Sequence, residues 1–162
     1  MEELRKATLV FLIKKSGEQI TEICLGLKKR GFATGKWNGV GGKVEPSETI
    51  EQAAIRETGE EIGVIPKMLN KAGEFSFYWT HNPEWNQIVH VYYAEDWEGE
   101  PRETEEIMPG WFSPENLPWD KMWPDDKFWM PYFLSGTPIK ATFTFNENSE
   151  IIDKDIAEIN NI

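Results

Sequence analysis

Apolar residues in this chain fall into short runs broken by polar, glycine and proline clusters, and the spacing within each run predicts its element. Thr8 to Lys14 and Ile20 to Leu27 are apolar-rich, so they are predicted as two strands joined at Ser16-Gly17 into a hairpin. Trp37 to Gly42 reads as a short extended piece. From Thr49 to Ile62 the spacing turns helical, with Ala54, Ile55, Thr58 and Ile62 as the predicted core-facing arc, Ala53 beside it, and Gly63 as the stop. Ala72 to Trp79 and Gln87 to Ala94 are two further predicted strands, separated by the turn residues His81-Asn82-Pro83. Trp111 to Ser113 is a short strand candidate, Ser113 to Asn116 a turn, and Asp125 to Leu134 a second helix with aromatic residues on one side. Ala141 to Asn146 alternates threonine and phenylalanine, as a half-buried strand does. Residues 147–162 are polar with scattered isoleucines and fit a terminal strand, a helix or a tail. This order predicts the α/β class, with a mixed sheet flanked by helices in one domain over residues 1–162.

Charge narrows the range of partners. Lys plus Arg number 17 against 28 Asp plus Glu, a net charge of -11, which speaks against a surface built for nucleic acid or an anionic membrane. An anionic small molecule would need local cations, and Lys28, Lys29, Arg30 and Lys43 flank the glycine-rich stretch that could receive one. The single cysteine, Cys24, rules out an internal disulfide and makes a reducing, cytoplasmic location the expectation. The apolar run Ala7 to Ile13 is too short for a membrane span and ends in Lys14-Lys15, so a buried strand is expected there.

The densest chemical signal is GKVEPSETIEQAAIRETGEEIGV, from Gly42 to Val64. On the predicted helix Glu57, Glu60 and Glu61 project from one side, so three carboxylates are expected to converge. Like charges at that spacing repel, and a hard divalent cation is the simplest compensation, because magnesium takes a few carboxylates while keeping waters and substrate phosphates. Gly41 and Gly42, just before the helix, would let bare backbone approach a metal or a phosphate.

That stretch resembles the Nudix box: glycine, Glu48, Arg56-Glu57, Glu60-Glu61, Gly63 and an apolar Val64 stand at its spacing. One slot departs, since Thr58 stands where the family usually has an aliphatic residue. The resemblance implies an α/β/α sandwich, with the Gly41 carbonyl, Glu57, Glu60 and Glu61 as metal ligands, one glutamate helping to deprotonate water, and Arg56 orienting a carboxylate. It also implies an outlying acidic ligand, for which Glu106 matches best, with Glu105 as its neighbouring rival. The cofactor implied is Mg2+, for which Mn2+ can substitute.

Two further segments, Lys28 to Lys43 (KKRGFATGKWNGVGGK) and Met122 to Pro131 (MWPDDKFWMP), resemble the oxidised-purine nucleoside triphosphatases, the MutT-homologue branch of the Nudix family. A purine needs flat apolar walls, and Phe32, Phe77, Trp123 and Trp129 are candidates. Asp125 and Asp126 are expected to straddle the base edge while sharing one proton, with Asn38 supplying an amide contact, since a guanine-type edge presents both an acceptor and donors. The competing reading of this pair is a helix cap. The resemblance adds Thr8 and Lys28 along the base and sugar, Val40 in the glycine segment, Lys43 near the phosphates and Pro124 beside Trp123. Asn86-Gln87 departs from the apolar residue common there.

The expected activity is hydrolysis of 8-oxo-dGTP, and of 2-oxo-dATP or O6-alkyl-dGTP, to the monophosphate and pyrophosphate, cleansing the nucleotide pool that feeds DNA synthesis. The expected protein is a monomer acting on a small molecule, without nucleic acid or membrane. The alternatives are a Nudix hydrolase of dinucleoside polyphosphates or ADP-ribose, and a nucleotide sensor that binds without turnover.

Overall fold

A computed structural model describes residues 4–159. The chain runs through β1 (Arg5–Ser16), β2 (Gln19–Lys28), β3 (Trp37–Asn38), α1 (Ile50–Ile62), β4 (Ile65–Pro66), β5 (Asn70–Trp79), β6 (Gln87–Ala94), β7 (Trp97–Glu98), β8 (Ile107–Phe112), α2 (Asp126–Leu134), β9 (Ile139–Phe145) and β10 (Ile151–Glu158). Eight strands form one mixed sheet in the order β10-β9-β5-β6-β1-β2-β3, with β8 also paired to β2. The β1–β6 and β5–β9 pairs are parallel, and the others in that sheet are antiparallel. β4 and β7 make a separate two-stranded ladder that the periodicity does not announce.

Alternation along β1 divides the core between the two faces of the sheet. Phe11 and Ile13 join the apolar cluster that takes in Trp129, Met130 and Phe133 of α2. Val10 and Leu12 join the one containing Ala54 and Ile62 of α1. The helices therefore cover opposite faces, which is the α/β/α layering expected. Only the last residues of β1, Ile13 to Ser16, pair with β2. Its first half faces the incoming loop instead: the Thr8 N–H donates to the Gly42 carbonyl at 2.8 Å, and Val10 exchanges bonds with Val40 at 2.6 and 3.0 Å. That splay draws the glycine loop along β1, between the two faces.

Local chemistry sets the bounds of α1. Thr49 accepts from the Gln52 N–H while the Gln52 side chain accepts from the Thr49 N–H, a reciprocal cap, and Gly63 closes the helix in the left-handed region at φ 72°. Ala53, Ala54, Thr58 and Ile62 are its buried residues, whereas Ile55 is exposed, against expectation. The Ala54–Thr58–Ile62 stripe faces the sheet, and a residue one step beyond Ala54 is rotated about 100° off it. Thr58 fits its buried slot because its hydroxyl donates to the Ala54 carbonyl at 2.7 Å.

Two other expectations are revised. The short strand near Trp111 begins earlier, at Ile107, and ends at Phe112, because Ile107 to Phe112 pairs along β2 from Lys28 to Ile23. The stretch after Glu147 contains a strand, β10, which pairs with β9 at the sheet edge. Its run of charged side chains at Asp153, Lys154 and Asp155 suits an edge that must not recruit another strand. Among the described residues, no helix is long and apolar enough to cross a membrane.

Candidate functional site

The acidic half of the site lies on α1. Glu57 packs against the glycine loop so closely that a Cβ on Gly42 would come within 2.5 Å of its carboxyl carbon, and a Cβ on Gly41 would lie 1.9 Å from the Thr8 carbonyl oxygen. Arg56 ties the region together. It donates to Glu48 through Nη2 at 2.6 Å and Nε at 3.1 Å, to Glu57 through Nη1 at 2.8 Å, to Glu60 at 3.3 Å and to the Lys43 carbonyl at 3.1 Å. These bonds hold the Glu48 carboxyl below its ordinary range and the guanidinium above its own.

Glu61 differs from its neighbours. Burial, then the facing carboxylates of Glu57 and Glu106, push its carboxyl up to about 7, against the opposing pull of Lys28 and the Gly41 backbone. Glu106 just precedes β8, across from the end of β2. Its Oε1 accepts from Arg30 at 2.7 and 3.0 Å, and its Oε2 accepts from Lys28 at 3.4 Å. Glu105 is more exposed and lies 3.6 Å from Arg30.

The expected convergence of Glu57, Glu60 and Glu61 is not preformed. Among the described residues, no three acidic, histidine or cysteine side chains are gathered as a metal cage. The physical reason is on α1 itself: Arg56 draws Glu57 and Glu60 to its guanidinium, while Arg30 and Lys28 draw Glu106. The residues nevertheless fit a hard divalent cation. The donors are all oxygens, Glu61 is crowded by two other carboxylates that Lys28 only partly offsets, and the bare Gly42 leaves Glu57 against the loop.

On the other face of the sheet, the α2 side, a cavity of about 640 Å³ opens toward the same glycine loop. Gly41, Gly42, Lys43 and Thr8 form one end; Asn38, Phe32, Phe77, Trp123, Trp129, Asp125 and Asp126 line the rest. Asn38 Oδ1 accepts from the Gly39 N–H at 2.8 Å, which leaves its NH2 as the group to donate. Asp125 and Asp126 are 4% and 2% exposed. The Trp129 indole N–H bridges them at 2.9 and 3.0 Å, and Asp126 Oδ2 accepts from the Trp123 N–H at 3.1 Å. Burial pushes Asp125 up to about 6, and burial plus the charge of Asp125 raises Asp126 well above the carboxylate range. Asp125 occupies the N-terminal position of α2 yet makes no side-chain capping bond, so the helix-cap reading of the pair fails.

Three expected contacts lie elsewhere. Lys28 turns to Glu106, Val40 is buried in the core beneath α1, and Pro124 is not part of the cavity wall. The wall also holds residues that sequence reasoning passed over, chiefly Arg5, Trp79, Trp85 and Phe145, and it includes Gln87, where the chain departs from the family's apolar residue. Strand alternation was the available signal for one of them, because Phe75, Phe77 and Trp79 share one face of β5. The parallel register that brings Phe145 beside Trp79 is long-range and has no local signature.

A family model described as "NUDIX domain" matches residues 3–133. Two curated proteins, each called "Oxidized purine nucleoside triphosphate hydrolase", are similar over nearly the whole chain. The one from Danio rerio is 39% identical over 155 residues, covering 96% of each chain, and the one from Mus musculus is 38% identical over 159 residues, covering 98% of each. Among solved structures, the mMutator MutT protein from Bacillus halodurans superimposes with a TM-score of 0.80 at 23% identity, over 94% of this chain and 97% of that one, a likeness of fold.

Proposed function

The chain belongs to the Nudix family, and on that premise we propose that it hydrolyses oxidised purine nucleoside triphosphates, 8-oxo-dGTP first among them, to the monophosphate and pyrophosphate. The observation that carries this reading is the bridged Asp125–Asp126 pair, set in an aromatic cavity whose other end is the glycine loop beside Glu57. A pair that shares one proton donates to a purine carbonyl and accepts from a ring N–H, as a guanine-type edge requires. Asn38 donates its NH2, and Trp123 and Phe32 supply apolar faces for stacking. Lys43, at the glycine loop, places a cation where the phosphates must lie.

A divalent metal is the cofactor class of this family. We take it to be Mg2+, held by the Gly41 carbonyl, Glu57, Glu60 and Glu61, with Glu106 as the outlying acid; when bound it neutralises the phosphates and acidifies a water. The protein's own contribution is to hold those groups. Arg56 fixes Glu57, and the bare backbone at Gly42 leaves Glu57 room against the loop. The protein is taken to work as a cytoplasmic monomer on free nucleotides, removing damaged precursors before polymerisation.

The test is a substrate panel with magnesium: 8-oxo-dGTP, 2-oxo-dATP, O6-methyl-dGTP, dGTP, a dinucleoside polyphosphate and ADP-ribose. Preferential release of pyrophosphate from the modified triphosphates is expected. Preference for the last two substrates, or binding without product, would overturn the reading. Heavy-oxygen water is expected to label pyrophosphate; label confined to the monophosphate would place attack on the other phosphorus.

A further inference from the structure

Four aromatic rings meet in a closed circuit at the mouth of the cavity. Phe32 lies 5.3 Å from Trp85, Trp85 lies 5.4 Å from Trp79, Trp79 lies 6.0 Å from Trp123, and Trp123 lies 5.7 Å from Phe32, centroid to centroid. The two sides of this mouth are built differently. Trp79 is buried and stacks on Phe145 at 4.6 Å. Trp85 ends a 3-10 turn over Pro83–Trp85, and backbone bonds from Trp85 to the Asn82 carbonyl at 3.0 Å and from Asn86 to the Pro83 carbonyl at 3.1 Å hold that turn. Asn86 Oδ1 then accepts from the Trp79 N–H at 2.7 Å, pinning the turn to β5. Opposite, Phe32 is 61% exposed, on a loop that passes through left-handed backbone at Gly31, Ala33 and Gly35. Trp85 is thus a fixed post, and Phe32 the exposed ring that leans on it.

A purine whose carbonyl and N–H edge meets the buried Asp125 and Asp126 points its opposite, imidazole side toward this mouth. C8 lies on that side. Trp85, 37% exposed and with its backbone braced by the turn, lines the same cavity as the two aspartates. Resting on the oxidised-purine reading above, we propose that Trp85 is a specificity-determining residue that limits the size of the C8 substituent, admitting a single oxygen and excluding bulky groups. The 82–86 turn fixes the backbone that carries Trp85, and the rings of Trp79 and Phe32 pack against its indole, so discrimination is steric and does not require the indole N–H.

The experiment compares the wild type, Trp85→Ala and Trp85→Phe with two substrates, 8-oxo-dGTP and dGTP carrying a phenyl group on C8, in magnesium. The quantity read is the ratio of kcat/KM for the phenyl substrate to that for the oxo substrate. Trp85→Ala is expected to raise it by about tenfold or more, and Trp85→Phe, which keeps a ring in place, to stay within about threefold of wild type. Trp85→Leu carries the test if the alanine variant does not fold, with a ratio expected between those two. An unchanged ratio in the truncated variant overturns the proposal, and so does a phenylalanine variant that matches the alanine one. A wild type inert toward 8-oxo-dGTP overturns instead the functional reading on which the proposal stands, so the two failures are distinguishable.

Discussion

Arg56 grips Glu48 with one edge of its guanidinium, Nη2 to Oε1 at 2.6 Å and Nε to Oε2 at 3.1 Å, while its remaining nitrogen holds Glu57. Glu48 lies in the loop before α1 and Arg56 in its second turn. The fork therefore locks the loop that carries Gly41 and Gly42 against the helix face that carries the acids. A bidentate pair of this kind adds direction as well as energy. It explains why a glutamate eight residues before Arg56 belongs to the same chemical unit.

Glu48→Gln is accordingly expected to lower kcat by about 10- to 100-fold, the range typical of groups that orient metal ligands, with little change in fold. Arg56→Lys should do the same, because an ammonium cannot reproduce the fork. Steady-state kinetics across magnesium concentrations check this. Wild-type kcat in both variants would mean that the clamp does not position the acids.

The two glycines should fail differently. At Gly41 an added Cβ meets the Thr8 backbone oxygen at 1.9 Å, a clash with a strand that cannot yield, so Gly41→Ala is expected to cost about 3 kcal/mol or more of stability. At Gly42 the clash is with the carboxylate of Glu57, 2.5 Å away, at the end of a flexible side chain. Gly42→Ala should leave the melting temperature within a few degrees of wild type and lower the rate by about 100-fold, the cost of displacing a reacting group by about an ångström. Thermal melts and rates measured side by side separate the two, and equal melting temperatures would refute the contrast.

Metal dependence can be read without turnover. If a divalent ion relieves the crowding of Glu61 by Glu57 and Glu106, magnesium should raise the melting temperature, and the Glu57→Gln, Glu60→Gln, Glu61→Gln triple variant should lose that response along with activity. A triple variant that melts and turns over like wild type would remove the metal site proposed here.

What could be read in advance was what is written locally. The capped helix Ile50–Ile62 and the strand Gln87–Ala94 follow from cap chemistry and alternation within a dozen residues. The acids of α1 follow from helical spacing, but their mutual arrangement does not, because it depends on which cation, Arg56, Arg30 or Lys28, takes each carboxylate. The aromatic mouth was hidden for a similar reason. Trp85 meets Phe32 across more than fifty residues of chain, and Trp79 meets Phe145 through a parallel register that no turn specifies.

Thr58 offers a test at the slot where this chain departs from the Nudix pattern. Its hydroxyl is satisfied by the Ala54 carbonyl, an acceptor already engaged within the helix, and such back-bonding slightly destabilises a helix. Thr58→Val is therefore expected to melt at the same temperature as wild type or higher. A loss above about 1 kcal/mol would show that the bond is needed for stability.

The bridged aspartates give a pH dependence whose sign is fixed by burial. An unfolded aspartate titrates near about 3.9. In the folded protein burial holds Asp125 up to about 6 and Asp126 well above the carboxylate range. Between those values the folded state binds more protons than the unfolded one, so stability is fullest below the unfolded pKa and falls as pH rises through the folded ones. Asp126→Asn removes one of the two titrating carboxyls, the one raised by both burial and the charge of its neighbour, and should flatten that decline. Melts from about pH 4 to about pH 7 should therefore show wild type losing stability relative to the variant as pH rises. The same substitution replaces an acid that shares a proton by a fixed amide, so turnover of 8-oxo-dGTP should fall by at least about tenfold while the magnesium-induced shift in melting temperature persists. Parallel pH slopes in the two proteins, or an unchanged rate, would show that the pair does not share a proton at the floor of the cavity.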